Sequence, residues 1–225
     1  SKMGIEVDRP RVNWNKMLSY KKSMIEDNTK GIAYLFKKNK ITLISGWANF
    51  VDNNTITVDG RNFEADHFVI ASGSEATSLN NVKFDEKVIV SSTGALELKK
   101  IPEKMIVVGA GVIGLEMGSI YSRLGTEVTV IEFYDKVLNG MDHDISKNFK
   151  TILTKQGFKF HLSCAVSTIT KEKKGVKVTY EQRDSSNHNE LSADVVLVAT
   201  GRKPFTENLK LDKVEVEIND KGQIE

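Results

Sequence analysis

Apolar and polar positions change their period along this 225-residue chain, and the changes predict its elements. Between 13 and about 38, Met17, Tyr20, Met24, Ile32 and Leu35 recur close to a 3.6-residue spacing among lysines, which predicts a helix. Short β-type runs follow at 41–45, 47–51, 55–58 and 62–64. The turn signals Asp52-Asn53-Asn54 and Asp59-Gly60 separate them, so these runs read as strands. The run 67–71 (HFVIA) is apolar and β-branched throughout, the pattern of a strand buried on both faces. It stops at Ser72-Gly73-Ser74.

A different rhythm begins near Val88. Residues 88–90 predict a strand, and Ser91-Ser92-Thr93 caps a short helix through Leu98 that Pro102 ends. Residues 105–108 predict a strand and 112–124 a helix, with Gly125 at the C-terminal position that favours glycine. A strand at 127–131 completes a βαβ unit. A helix is predicted at 144–156, closed by Gly157. A hairpin of 166–169 and 176–181 turns at 171–175, and a polar loop, 183–190, leads to a strand at 195–199. The stretch 69–74 (VIASGS) echoes 197–202 (LVATGR), which predicts two buried strands with matching exits.

The chemistry concentrates at 105–118, MIVVGAGVIGLEMG. Here a strand runs into Gly109, Gly111 and Gly114, and a helix follows without a break. Each glycine of such a series has its own task. Gly109 permits the tight turn, Gly111 lets a pyrophosphate approach the backbone, and Gly114 lets the helix lie close to the sheet. Gly118 extends that small-residue face. The unpaired N–H groups and dipole at the helix start attract phosphate. Ile113, Met117, Ile120 and Leu124 form the stripe expected to face the core. The next strand ends at Glu132, 18 residues after Gly114, where a carboxylate accepts hydrogen bonds from the adenosine ribose hydroxyls. That carboxylate repels a 2′-phosphate, and the adjoining Phe133-Tyr134 offers no arginine to receive one, so NAD is favoured over NADP. A methyltransferase also pairs a glycine-rich loop with an acidic residue, but normally lacks the third glycine in this register.

Composition adds mainly exclusions. The net charge of +2 gives no electrostatic case for nucleic acid, and no apolar run approaches the ~20 residues of a membrane span. The lysine clusters read as solvated faces and turns. Cys164 is the single cysteine, so no disulfide can form within the chain; it reads as a core thiol at a strand start. His67, His143, His161 and His188 show no ligand spacing, and no metal site is expected.

The stretches 108–119 (VGAGVIGLEMGS), Val130-Ile131-Glu132 and 199–205 (ATGRKPF) closely resemble the dihydrolipoamide dehydrogenases, flavin- and NAD-dependent disulfide oxidoreductases of the 2-oxo acid dehydrogenase complexes and the glycine cleavage system. The likeness continues in 71–75 (ASGSE), 91–96 (SSTGAL), 145–149 (ISKNF) and 155–160 (KQGFKF), and covers essentially the whole chain. It implies an α/β fold: a Rossmann-like NAD-binding domain at 73–204, a parallel sheet with a β-hairpin insertion, set into an incomplete FAD-binding domain contributed by 1–72 and 205–225. It also implies that Gly109, Ala110, Gly111, Val112, Ile113, Gly114, Leu115, Glu116, Glu132, Val166 and Gly201 line the NAD site. Glu116 matches a carboxylate near flavin and nicotinamide. Ser72, Gly73 and Ser74 match an FAD-contacting turn. Ala48 stands where the family tends to have the second glycine of a Gly-x-Gly at the flavin's adenine end, a backbone contact that alanine keeps only at negative φ.

The reaction that the resemblance implies is electron relay from dihydrolipoamide, carried on lipoyl domains, through a redox disulfide and FAD to NAD⁺, in a homodimer of the mitochondrial matrix. The family's FAD pyrophosphate loop, its CxxxxC pair and its interface domain with a catalytic histidine are not among these 225 residues. No catalytic residue is therefore assigned, and the chain alone is expected to be colourless and inactive toward dihydrolipoamide. Related flavoproteins, such as an NADH oxidase or mercuric reductase, and a non-catalytic nucleotide-binding module are the alternatives.

Overall fold

The computed structural model describes residues 11–183 and 188–225. In chain order the elements are α1 (Trp14–Lys38), β1 (Ala48–Asp52), β2 (Thr55–Val58), β3 (Arg61–Glu64), β4 (Ser74–Ala76), β5 (Ile89–Val90), α2 (Ser92–Leu96), β6 (Lys104–Val108), α3 (Val112–Arg123), β7 (Glu127–Ile131), α4 (His143–Lys155), β8 (Lys159–His161), β9 (Cys164–Lys171), β10 (Val176–Gln182), β11 (His188–Ala193), β12 (Val195–Val198) and β13 (Arg202–Pro204). They fall into two compact units. One holds residues 78–201 with the start of α1, and the other holds 25–77 and 202–225.

The larger unit is built on a five-stranded sheet of order β5-β12-β6-β7-β8, with every pairing parallel. Both faces of a parallel sheet must be covered, and alternation along the strands shows how. Met105 and Val107 of β6, with Val128 and Val130 of β7, join Leu115, Met117 and Tyr121 of α3 and Leu153 of α4 in one apolar cluster. The intervening Ile106, Val108 and Ile131 join Val176, Val178 and Tyr180 of β10 in a second cluster on the other face. There the antiparallel sheet β11-β10-β9 takes the place of helices. Trp14 of α1 packs on Tyr121, 6.2 Å between ring centroids, and its indole N–H donates to the Leu98 carbonyl at 2.9 Å.

Local sequence accounts for most of the boundaries. The Ser91 hydroxyl accepts the Thr93 N–H and caps α2, which stops at Leu96 rather than Leu98. Asp142 caps α4 through the N–H groups of Asp144 and Ile145. In α3, Leu115 and Tyr121 are the most deeply buried side chains; Ile113, Ile120 and Leu124 pack at the margin of the cluster. The antiparallel sheet has a third strand where the polarity of 183–190 predicted only loop. β11 pairs Glu181 with His188 and Val176 with Ala193. It exposes most of its side chains, so its sequence carries no strong apolar alternation. The part of that predicted loop at 184–187 lies outside the described residues. β8 (Lys159–His161) also joins the parallel sheet beside β7.

In the smaller unit β1, β2 and β3 form an antiparallel meander. Phe50 is buried against Phe68, 5.4 Å away edge to face, and its N–H donates to the Leu209 carbonyl at 2.9 Å. A two-stranded antiparallel ribbon joins β4 to β13. Two predicted strands are absent. Residues 41–45 and 67–71 belong to no strand, with Leu43 68% and Val69 91% exposed. A strand exists through its ladder, and no strand among the described residues pairs with either run. The echo between 69–74 and 197–202 is therefore one of sequence: the second copy holds buried β12, while the first lies exposed.

Candidate functional site

The strands β6, β7 and β12 of the larger unit all end at one edge of the parallel sheet. The chain order reverses between β6 and β12, and open α/β sheets bind ligands at such an edge. The three glycines sit here for three different reasons. Gly109 has φ +102°, and a Cβ on it would lie 2.5 Å from the Ala199 carbonyl oxygen at the β12 exit. On Gly114 a Cβ would overlap the Gly109 carbonyl oxygen and come within 2.9 Å of Val107. Both glycines are demanded by the fold. Gly111 is not: its φ is −76°, and a Cβ there would meet nothing within 4 Å. As the N-cap of α3 it offers no side-chain oxygen to the helix. The first N–H groups of α3, on Val112, Ile113 and Gly114, have no acceptor within the helix and carry the positive end of its dipole. An anionic group placed against Gly111 would satisfy these donors, and a Cβ at Gly111 would meet no protein atom within 4 Å.

Glu132 lies just beyond β7 and is buried, with 8% exposure. One carboxylate oxygen accepts the Ala110 N–H, inside the glycine loop, and the other accepts the Tyr134 N–H at 2.9 Å. The Ala110 carbonyl in turn accepts the Leu138 N–H at 2.9 Å. The hydroxyl of buried Ser146 in α4 donates to the Leu138 carbonyl at 3.3 Å. Both polar groups of Ala110 are thus held by the segment that follows β7. A carboxylate oxygen accepts more than one hydrogen bond, so Glu132 retains capacity toward a sugar diol. In sequence Ala110 stood in the site by resemblance alone, Ser146 lay only within a stretch of general likeness, and Leu138 gave no signal.

Val112 and Glu116 are exposed one turn apart on α3, while Leu115 is buried beneath them. Val166 lies two residues along β9 from Cys164, whose N–H donates to the Glu132 carbonyl at 2.9 Å. Gly201, three residues past β12, has φ +146°, which essentially only glycine adopts. Phe133-Tyr134 supplies no arginine itself, but one distant in sequence lies beside it. The Arg183 guanidinium lies 4.3 Å above the Phe133 ring, and the Arg183 N–H donates to the Ser163 carbonyl at 2.8 Å. These partners are 50 residues apart in sequence, so adjacency could not reveal them. Cys164 is buried and burial pushes its thiol pKa up, which leaves it an inert core group. Burial likewise lowers the pKa of His161, whose Nδ1 lies 3.2 Å from the Tyr180 hydroxyl. Among the described residues no group of three or more potential ligands could hold a metal ion, and no helix is long and apolar enough to cross a membrane.

The remaining predicted residues belong to the smaller unit. Ala48 is exposed at the start of β1 and is absent from the positive-φ residues, so its backbone has the negative φ that alanine requires. Two residues earlier Gly46 has φ +148°. Ser72, Gly73 and Ser74 form an exposed turn, with Gly73 at φ +75° and nothing within 4 Å of its Cβ position. The Arg202 guanidinium grips this turn: Nε donates to the Ser74 hydroxyl at 2.8 Å and a terminal nitrogen donates to the Ser74 carbonyl.

The family model described as pyridine nucleotide-disulphide oxidoreductase matches residues 6–225. The chain is 45% identical over 226 residues to dihydrolipoyl dehydrogenase 1, mitochondrial, of Arabidopsis thaliana, covering 98% of this chain and 45% of that protein. It is 44% identical over 228 residues to the mitochondrial dihydrolipoyl dehydrogenase of Homo sapiens, again covering 98% of this chain and 45% of the relative. The chain therefore spans a little under half the length of these relatives. Among solved structures, the Cu(II) complex of a cysteine-to-serine mutant of the HOCl-induced flavoprotein disulfide reductase RclA from Escherichia coli superposes with a TM-score of 0.81 at 25% identity, over 93% of this chain and 48% of that one.

Proposed function

The chain belongs to the pyridine nucleotide-disulphide oxidoreductases, and from that premise we propose that it forms the NAD cradle and one wall of the flavin site of a dihydrolipoyl dehydrogenase. The observation that carries this reading is Gly111. The fold tolerates a side chain there, yet the position is glycine, beneath the uncapped start of α3 and beside the loop that buried Glu132 holds. A pyrophosphate accounts for all three features.

In this reading Gly109–Glu116 receives the phosphates, Glu132 the adenosine ribose, and Val166 and Gly201 line the same site, within an NAD-binding region at 73–204. Ala48 and Ser72–Ser74 supply backbone and hydroxyl contacts to FAD from the flanking regions. When bound, the flavin supplies two-electron chemistry between a thiol pair and nicotinamide; the protein orients both. Cys164 does not serve in that pair in this reading, because it is buried and burial raises its thiol pKa. In this reading the dithiol, the acid–base histidine and the dimer contact belong to parts of the enzyme that this chain, which covers 45% of its relatives' length, does not span. The substrate in this reading is dihydrolipoamide on lipoyl domains of 2-oxo acid dehydrogenase complexes, and the compartment is the mitochondrial matrix, in line with the mitochondrial names of the relatives.

Calorimetric titration of residues 1–225 with NADH and NADPH tests the cradle. NADH binding with at least tenfold preference over NADPH is expected, without lipoamide-dependent NAD⁺ reduction. Equal binding of the two cofactors, or none, rejects the assignment.

A further inference from the structure

We propose that Arg202 is a positioning residue for the flavin: it fixes the Ser72–Ser74 turn and turns the Ser74 hydroxyl into an outward hydrogen-bond donor. The inference rests on the reading of that turn as an FAD contact.

The turn has little else to hold it. Ser72, Gly73 and Ser74 are all exposed, Gly73 sits at φ +75°, and β4 is a strand of three residues in a two-stranded ribbon. Two-stranded pairing of this length is marginal in water. The restraint comes from the β13 side. Arg202 pairs with Ala76 and Pro204 with Ser74 in the ladder, and the Phe205 N–H donates to the Gly73 carbonyl at 3.0 Å. Lys203 adds an ion pair with Glu75 at 3.1 Å. It is Arg202 that holds a side chain of the turn itself. Its planar fork takes two acceptors of one residue, the Ser74 hydroxyl at 2.8 Å and the Ser74 carbonyl. This fixes the serine rotamer and the peptide plane together.

The polarity matters as much as the position. A serine hydroxyl has one hydrogen to donate and two lone pairs. Arginine has no acceptor, so the bond from Nε consumes a lone pair and leaves the hydroxyl hydrogen to point elsewhere. The Gly73 carbonyl accepts the Phe205 N–H and the Ser74 carbonyl accepts a terminal nitrogen of Arg202, so each already has a donor. The turn then presents a donor, which matches an acceptor-rich ligand such as the phosphates or ring carbonyls of a flavin dinucleotide.

The test uses the full-length protein with Arg202→Met, Arg202→Lys, Ser74→Ala and the Arg202→Met/Ser74→Ala double variant. FAD dissociation constants, flavin circular dichroism and apoprotein unfolding midpoints are measured for each. Arg202→Met is expected to raise the FAD Kd about tenfold, the scale of losing charge-assisted hydrogen bonds, and to change the flavin dichroism. Arg202→Lys recovers part of the affinity. In the Arg202→Met background Ser74→Ala adds little, because the two residues act as one unit. Unchanged affinity and dichroism in Arg202→Met, or losses that simply add in the double variant, overturn the inference and leave the FAD reading standing. If Arg202→Met does not fold, the same cycle built on Arg202→Lys decides by the same criterion. A full-length wild-type protein that takes up no FAD overturns the reading of the turn and the inference together.

Discussion

The buried carboxylate of Glu132 accepts the backbone N–H of Ala110, joining the end of one parallel strand to the glycine loop at the end of its neighbour. The residue read from sequence as a ribose acceptor is thus also part of the scaffold that shapes the glycine loop. Glu132→Ala removes the acceptor for Ala110 and for Tyr134 in addition to any contact with the sugar. NADH affinity is expected to fall by about 1–3 kcal/mol, and amide exchange at Ala110 to accelerate in the absence of ligand. Titration calorimetry and hydrogen exchange report the two effects separately. Slow exchange at Ala110 in the variant would show that the loop does not depend on Glu132.

Gly111 and Gly114 separate binding from stability. Gly114→Ala forces a Cβ into the Gly109 carbonyl, so the protein is expected to lose about 1–3 kcal/mol of stability, the usual cost of overpacking. Gly111→Ala meets no protein atom and is expected to leave stability within about 0.5 kcal/mol while lowering NADH affinity at least tenfold. Thermal melts and NADH titrations of the two variants should therefore rank them in opposite order. A Gly111→Ala protein with native NADH affinity would remove the main support for the pyrophosphate assignment.

Ser146 tests how far the clamp reaches. Its hydroxyl holds the Leu138 carbonyl, and Leu138 holds the Ala110 carbonyl. Ser146→Ala is expected to cost about 1 kcal/mol in stability and to weaken NADH binding a few-fold without altering the preference over NADPH. A changed cofactor preference would mean that Ser146 acts by another route.

Acid sensitivity is expected at Asp85, away from the glycine loop. Burial opposes its charged form, but the Lys171 ammonium at 2.8 Å and the N–H groups of Ile89, Val88 and Lys87 outweigh it and hold the carboxyl well below the usual range. A depressed folded-state pKa contributes stability that is present above the unfolded value of about 3.9 and lost as pH falls through the folded one. Unfolding midpoints of the wild type should therefore drop below about pH 4. Asp85→Asn should be less stable at neutral pH and show a shallower decline in acid. Parallel acid profiles would place the sensitive group elsewhere.

The sequence by itself determined the elements whose stabilisation is local. The helix over Trp14–Lys38, the βαβ unit from Lys104 to Ile131, the cap at Ser91 and the glycine series are all written in periodicity and turn chemistry. The proposed dinucleotide site was legible as a candidate for the same reason, since its glycines, strand and acidic residue lie within about 30 positions of one another. Only the tertiary structure decided the rest, because those outcomes depend on partners distant in sequence. Residues 67–71 carry a strand's composition but have no neighbouring strand among the described residues, whereas polar β11 is a strand because β10 offers it an edge. Arg183 over Phe133, Leu138 on Ala110 and Arg202 on Ser74 join residues 28 to 128 positions apart. Hydrogen bonds and ring contacts of that span leave no periodic trace in a chain, and they exist only once the sheets have brought their two ends together.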